Sequence, residues 1–377
     1  MNYIHRNFCP ITNEKEFELL SESKYPVFAG CVDATELNTD LVANQKWVIY
    51  KSGVIALKEL IPLEILYKNG HDAGFVGNIW ENHHNEFANF VLKTSPKNVL
   101  EIGGGHGKLS KNCLEKNQKI NWTIIEPNST NKSNKVKYID GYFENYDING
   151  DFDCIVHSHL FEHIYEPNVF LKKCYNILNN RGGGQMVFSL PNMQKWLENK
   201  WTNCLNFEHT IFINENVIEF LLNNNNFSII GKKYFSNHSI FIRAEINNNL
   251  IKNKLNIDYN DNKYLFLDMQ NHYSNLVEKL NNIIRKTNKE IYLFGAHLFS
   301  QYLLYNGLDN KKIKNILDNN LNKQGKRLYG TNLIVQSPKI LQNNTNSIVI
   351  LCAGAYNEEI QRDIQENINH KIEILKF

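Results

Sequence analysis

No stretch of this chain approaches the roughly 20 consecutive apolar residues that a membrane-spanning helix needs. The opening Met1-Asn2-Tyr3-Ile4-His5-Arg6-Asn7-Phe8-Cys9-Pro10 also lacks the apolar segment of a signal peptide. A cytoplasmic protein with no membrane partner is therefore the expectation. Charge of one sign is in equally short supply. With 41 basic and 39 acidic residues the formal net charge is +2, which gives no basis for a nucleic-acid or membrane-surface partner. Cysteine is sparse: the 7 cysteines fall at 9, 31, 113, 154, 174, 204 and 352 without a paired pattern, which argues against a disulfide framework and for reduced thiols. The remaining composition is ordinary. A length of 377 residues, 42% hydrophobic, allows two or three domains with separate cores, and the asparagine runs at 223–226 and 247–249 read as loops and linkers.

Against this background one short run stands out. The apolar strand Asn98-Val99-Leu100 ends in an acid, Glu101. The chain then turns through Gly103, Gly104, Gly105 and Gly107 into a segment with helical spacing, Leu109 and Cys113. A loop without side chains lets backbone lie against a ligand, and the helix start behind it offers free N–H donors. The dinucleotide fingerprint would need its third glycine at position 108, which is Lys108, so spacing excludes that reading. A second apolar strand, Asn121 to Ile125, ends in Glu126, 25 residues after Glu101, which is the span of one helix plus one strand in a βαβ unit. A carboxylate at such a tip can accept both ribose hydroxyls of a nucleoside.

Glu-x-Gly-x-Gly-x-Gly resembles motif I of the class I S-adenosylmethionine (SAM) methyltransferases. The resemblance implies that Glu101 faces the methionine end of the cofactor and that Gly103, Gly105 and Gly107 admit it. Tyr138-Ile139-Asp140-Gly141-Tyr142-Phe143 resembles the loop that brackets adenine, with Asp140 near the exocyclic amine and Tyr142 or Phe143 on the ring face. Further on, Asp153 to Ser158, Phe161-Glu162-His163-Ile164-Tyr165-Glu166-Pro167 and Arg181 to Asn192 resemble the later motifs in order. Together the matches span about 95 residues in register.

The chain divides into three sections: an N-terminal module over 1–78, a SAM domain over 79–246 opening with a helix from Trp80 to Leu92, and a C-terminal α/β domain over 263–377. The polar stretch 247–262 links the last two, and an amphipathic helix follows from Tyr264 to Ile284. The fold class expected is α/β: a class I methyltransferase domain with a small N-terminal module and a second Rossmann-like domain. This order resembles the nucleotide-sugar C-methyltransferases of deoxysugar biosynthesis, best at its far end in Phe294-Gly295-Ala296, Asp318-Asn319-Asn320 and Tyr329-Gly330-Thr331. That family moves a methyl group from SAM to a ring carbon beside a keto group and uses a Tyr-x-Glu-His segment whose histidine is the base. The corresponding residues here are Asn206-Phe207-Glu208-His209.

The departures are specific. Where the family carries two Cys-x-x-Cys pairs holding zinc, this chain reads Cys9-Pro10-Ile11-Thr12 and Ile49-Tyr50-Lys51-Ser52, so no metal site is expected there. The tyrosine is Asn206, and the His-Gly-Gly-Ser strand entrance is Ser236-Asn237-His238-Ser239. Both changes fall on the acceptor side. His209 is the base expected, oriented by Glu208 or by a backbone group. His163 either packs on the helix that follows or works at the acceptor. His83 and His84 read as a solvated helix face, and the C-terminal glycine turn at Gly295 lacks the glycines of an NAD site. The expected activity is SAM-dependent methyl transfer to a small-molecule activated sugar, nucleotide-linked, on carbon or alternatively on oxygen or nitrogen. A binding protein that keeps the fold without turnover is the reading from another class. The oligomeric state is left open.

Overall fold

The computed structural model describes residues 2–35, 40–68, 77–130, 132–344 and 346–376, so residues 69–76 at the end of the expected N-terminal module lie outside the description. The central sheet has seven strands in the order Val136–Asp140, Asn121–Glu126, Asn98–Ile102, Cys154–Ser158, Gln185–Pro191, Ser239–Ile246, Phe227–Phe235. Ser239–Ile246 runs opposite to the other six strands. Its inner strands are apolar on both faces: Ile155, Val156, Met186, Val187 and Phe188 have no exposure. Such continuous burial is what helices on both sides of a parallel sheet impose. Asn98–Ile102 pairs with Asn121–Glu126 on one side and with Cys154–Ser158 on the other. The order of the chain reverses at that strand, and a ligand crevice opens outside the carboxyl ends of strands at such a point.

A second sheet, parallel throughout, has the order Val335–Gln336, Ile313–Leu317, Glu290–Phe294, Ser347–Leu351, Glu373–Lys376. The helix before it, Tyr259–Lys286, is longer at both ends than the apolar spacing suggests. Its start is set by Asp258, whose carboxylate accepts from the N–H groups of Asn260 at 2.8 Å and Asp261 at 3.1 Å. Arg285 and Lys286 favour its last turn.

The N-terminal module is clasped by both other sections. Its antiparallel strands Phe17–Pro26, Val42–Tyr50 and Ile55–Leu57 form a small sheet. Ala56 bridges to Ile211, and the N–H of Leu57 donates to the carbonyl of Thr210 at 2.8 Å. Cys31 and Val32 pair with Leu328 and Arg327 of the C-terminal section. Arg6, 4% exposed, donates to the carbonyls of Leu57 and Thr210 at 3.0 Å and of Tyr165 at 3.1 Å. Burial lowers its pKa to about 10, so it stays cationic at neutral pH. One apolar core runs unbroken from Trp47 and Ile55 through Leu100 and Phe188 to Ile291 and Ile350.

At the resemblance's zinc positions a carboxylate joins the two loops. Glu14 Oε1 accepts from the Thr12 hydroxyl at 3.1 Å and from the Ser52 N–H at 2.9 Å. Cys9 is fully buried, and its N–H donates to the Glu14 carbonyl at 2.8 Å. Hydrogen bonds and packing thus join the two loops at these positions.

Candidate active site

The crevice begins with the glycine loop. Gly103, Gly105 and Gly107 all have positive φ, and Gly107 caps the helix Lys108–Lys116. Gly105, at φ +45°, has nothing within 4 Å of where a Cβ would stand, so the loop leaves open space for a ligand. A Cβ on Gly104 would meet Ile124 at 2.7 Å and the Glu101 carboxyl carbon at 3.0 Å. Glu101 therefore lies beneath the loop. It is 3% exposed and accepts from the Trp122 indole N–H at 2.7 Å. Burial, together with the nearby Glu126, pushes its pKa up to about 8. Glu126 is partly exposed at the tip of its strand, where it accepts from the N–H groups of Asn128 at 3.0 Å and Gly105 at 3.4 Å.

Across from Glu126 the next strand ends at Asp140, exposed and ion-paired with Lys132 at 2.6 Å. Of the two rings proposed for an adenine face, Tyr142 is partly exposed at the rim. Phe143 is not at the rim: it is 3% exposed and packs edge-on against Phe170 at 5.4 Å. The reason is local. Phe143 begins a single 3-10 turn that rolls its ring inward, and Lys173 bonds to the Phe143 carbonyl at 2.6 Å from outside.

The acceptor side lies past the ends of Cys154–Ser158 and Gln185–Pro191. His209 sits on an irregular loop whose course is fixed by the pairing of Ile211 with Ala56 in the N-terminal module. Asn206 shapes that loop, its side-chain oxygen accepting from the N–H groups of Glu208 at 2.7 Å and His209 at 3.0 Å. The Nδ1 of His209 faces the carbonyls of Asn203 at 2.7 Å and Cys204 at 3.3 Å. Carbonyls only accept, so Nδ1 carries the hydrogen and Nε2 keeps its lone pair. Burial lowers the His209 pKa, while Glu162 and Glu208 pull it back up. Of the two orienting groups expected for His209, backbone carbonyls contact its ring nitrogen. Glu208 instead lies with Oε2 3.7 Å from His163 Nδ1.

The rings of His163 and His209 meet edge-on at 4.8 Å, and the Tyr67 hydroxyl lies 3.1 Å from His163 Nδ1. Burial holds the Tyr67 phenol well above its ordinary range, so it keeps its proton. His163 thus stands among Tyr67, Glu208 and His209. Glu162, His163 and His209 bring one carboxylate and two imidazoles within 4.8 Å of one another.

The solvated face expected for His83 and His84 is overturned. They are 0% and 8% exposed, because the helix Asn78–Leu92 turns the stripe Trp80, His83, His84, Phe87 and Val91 toward the sheet. A neutral imidazole packs there as an aromatic ring: His83 contacts Phe241 edge-on at 5.1 Å. Burial lowers His84 to about 4 and also holds His83 well below the ordinary imidazole range. The C-terminal section closes over this region, with Tyr356 hydrogen-bonded to Trp80 and Trp201 packed on Gly354.

Tyr67, Glu162, His159 and Ser239 are site residues that sequence reasoning passed over. Glu162 stands next to His163 within a motif already singled out, and Ser239 stands in the altered strand entrance. Tyr67 carries no signal of its own, since only the tertiary fold brings it to His163.

A family model described as a methyltransferase domain matches residues 79–231, and one described as a C-methyltransferase C-terminal domain matches residues 257–375. Among solved structures, the 1,6-didemethyltoxoflavin-N1-methyltransferase of Burkholderia thailandensis, holding 1,6-didemethyltoxoflavin and S-adenosylhomocysteine, is 14% identical with a TM-score of 0.39, over 49% of this chain and 86% of its own. Human N-acetylserotonin methyltransferase, in complex with SAM, is 15% identical with a TM-score of 0.39, over 45% of this chain and 53% of its own. The PH0226 protein of Pyrococcus horikoshii is 14% identical with a TM-score of 0.38, over 46% and 96%. A comparison with curated protein sequences gave no match. No described helix is long and apolar enough to cross a membrane. The first family match covers the glycine loop and the acids at the strand tips, the second covers the C-terminal sheet, and the chain carries a methyltransferase domain and a C-methyltransferase C-terminal domain.

Proposed function

We propose that this enzyme methylates an activated, nucleotide-linked sugar, with His209 as the base. The observation that carries the reading is the carbonyl of Asn203 at 2.7 Å from His209 Nδ1, which leaves Nε2 as the one ring nitrogen able to take a proton. On the cofactor side, Glu126 suits the ribose hydroxyls, Asp140 and Tyr142 the adenine, and Gly103, Gly105 and Gly107 the methionine part. Glu101 supports that loop from below. Bound SAM supplies an electrophilic methyl group. The chain's residues align the acceptor with it and remove the acceptor's proton.

Transfer to a ring carbon beside a carbonyl needs a base and a donor for the enolate oxygen. Tyr67 supplies that donor, its phenol retaining its hydrogen next to His163. The match to a C-methyltransferase C-terminal domain favours carbon as well. Asn206 favours the second reading, transfer to a sugar oxygen or nitrogen, because its side chain is taken up in the turn and offers no phenol. Incubation with SAM and a panel of sugar nucleotides, read by mass spectrometry, tests the proposal. A methylated sugar nucleotide supports it, and turnover confined to acceptors without a sugar would refute it.

A further inference from the structure

Behind the cluster at His209 lies a buried polar chain that the reaction as described does not use. Glu162 is 1% exposed, and its Oε1 lies 3.3 Å from Nδ1 of His159, whose side chain is 8% exposed. The other ring nitrogen of His159, Nε2, is 2.8 Å from Ser239 Oγ, and Ser239 Oγ is 2.6 Å from Nδ1 of His238. His159 has a φ of +49°, a left-handed conformation uncommon outside glycine, at the end of strand Cys154–Ser158. Its N–H donates to the Ser189 carbonyl at 2.9 Å, so the turn is held by the neighbouring strand. Strain of this kind persists where surrounding structure enforces it and clusters at functional sites.

Proton positions along the chain follow from one group. An ionised Glu162 only accepts, so His159 Nδ1 carries a hydrogen and Nε2 accepts from the Ser239 hydroxyl. The Ser239 oxygen then accepts from His238 Nδ1. In this direction each of these contacts pairs one hydrogen with one acceptor while all rings stay neutral, and the outer nitrogen of His238, Nε2, has no hydrogen-bond partner among the described residues. Reversing it requires Glu162 to be protonated.

We propose that Glu162 is the positioning residue that holds a fixed negative charge beside the methyl-transfer base, and that His159, Ser239 and His238 keep it ionised and in place. The inference rests on the reading of His209 as base. As the acceptor atom bonds to the methyl carbon and the methyl–sulfur bond breaks, the acceptor's proton passes to His209 Nε2. S-Adenosylhomocysteine leaves as the neutral thioether. The imidazolium formed has one ring nitrogen within 4.8 Å of a Glu162 carboxylate oxygen. The titratable groups that bear on His209 are Glu208 on its own loop, Glu162, His159 and His163 after Cys154–Ser158, and Tyr67 of the N-terminal module. Among these, Glu162 is the carboxylate that His159 links to Ser239 and His238.

Imidazole NMR titration of His209 in the full chain with S-adenosylhomocysteine tests this without knowledge of the acceptor. In Glu162→Gln the His209 midpoint should fall by about 1 pH unit, because an anion favouring imidazolium is gone. Ser239→Ala, which removes one hydroxyl and keeps every charge, should move it in the same direction by less. With the sugar nucleotide found by the panel, Glu162→Gln should lower kcat about tenfold or more while KM stays within about threefold. An unmoved His209 midpoint in both variants would overturn the inference, as would full kcat in Glu162→Gln. If Glu162→Gln fails to fold, Ser239→Ala decides by its midpoint. A divalent-cation requirement abolished by chelation would also overturn it, by giving Glu162, His163 and His209 to a metal. Wild-type turnover in His209→Ala would instead remove the base reading beneath it.

Discussion

The proposed cofactor half of the crevice is made by three consecutive strand–loop units of one sheet, from Glu101 through Glu126 to Tyr142, whereas the proposed acceptor half gathers Tyr67, Glu162, His163 and His209 from three separate stretches and two sections of the chain. In the first half, the proposed binding falls mostly to the backbone of the glycine loop, and the acids stand at strand ends. In the second, the proposed chemistry falls to side chains, and the N-terminal module holds the loop that carries His209 through Ala56 and Leu57. A site built from contiguous units keeps a readable sequence pattern. One built across sections varies residue by residue, as the Asn206 turn and the Ser236-Asn237-His238-Ser239 entrance do here.

If the two halves are separable, single substitutions should damage one and spare the other. The largest effect is expected for His209→Ala, with turnover lowered roughly 10²–10⁴-fold and SAM affinity nearly unchanged. A loss of SAM affinity of the same size would break the separation. Next in size is Glu126→Ala on the other half. Loss of charge-assisted bonds worth roughly 1.5–3 kcal/mol should weaken S-adenosylhomocysteine in calorimetry about 10- to 100-fold. Unchanged affinity would remove the ribose assignment.

Glu101 sharpens the contrast through pH. Burial raises its folded-state pKa to about 8, so the folded chain prefers the protonated carboxyl. The associated stability is fully present below the ordinary glutamate range and is lost as pH rises through about 8. Glu101→Gln, which cannot ionise, should therefore gain Tm over wild type at pH 9 relative to pH 6 when no ligand is bound. Equal pH profiles for the two proteins would show that the carboxyl is not held neutral.

The smallest effect is expected far from the crevice. Glu14→Ala removes acceptors for Thr12 and Ser52 and should cost about 1 kcal/mol in denaturant unfolding. Purified protein should hold no stoichiometric zinc and should withstand chelators. One tightly held zinc per chain would show that the module is clamped by other ligands.

The same contrast explains what could be read from sequence. Gly103 to Gly107, Glu126 and the βαβ spacing depend on neighbours close in the chain, and the structure places them along one crevice. Phe143 and Tyr142 are adjacent, so only the 3-10 turn at Phe143 decides which ring goes inward. His83 and His84 were misassigned because polar residues on a helix ordinarily face water. Here they occupy the buried stripe as neutral rings beside Trp80, His159 and His238. Tyr67 was illegible for a plain reason: its partner His163 is 96 residues away.

The most direct test of the account follows an isotope-labelled methyl group from SAM into product, with the sugar nucleotide identified by the panel and the attachment read by NMR. The account predicts a methyl on a sugar carbon, formed by the wild-type enzyme and lost in His209→Ala although that variant still binds S-adenosylhomocysteine. A label on oxygen or nitrogen would contradict carbon transfer, and a label that reaches no sugar would contradict the proposed function itself.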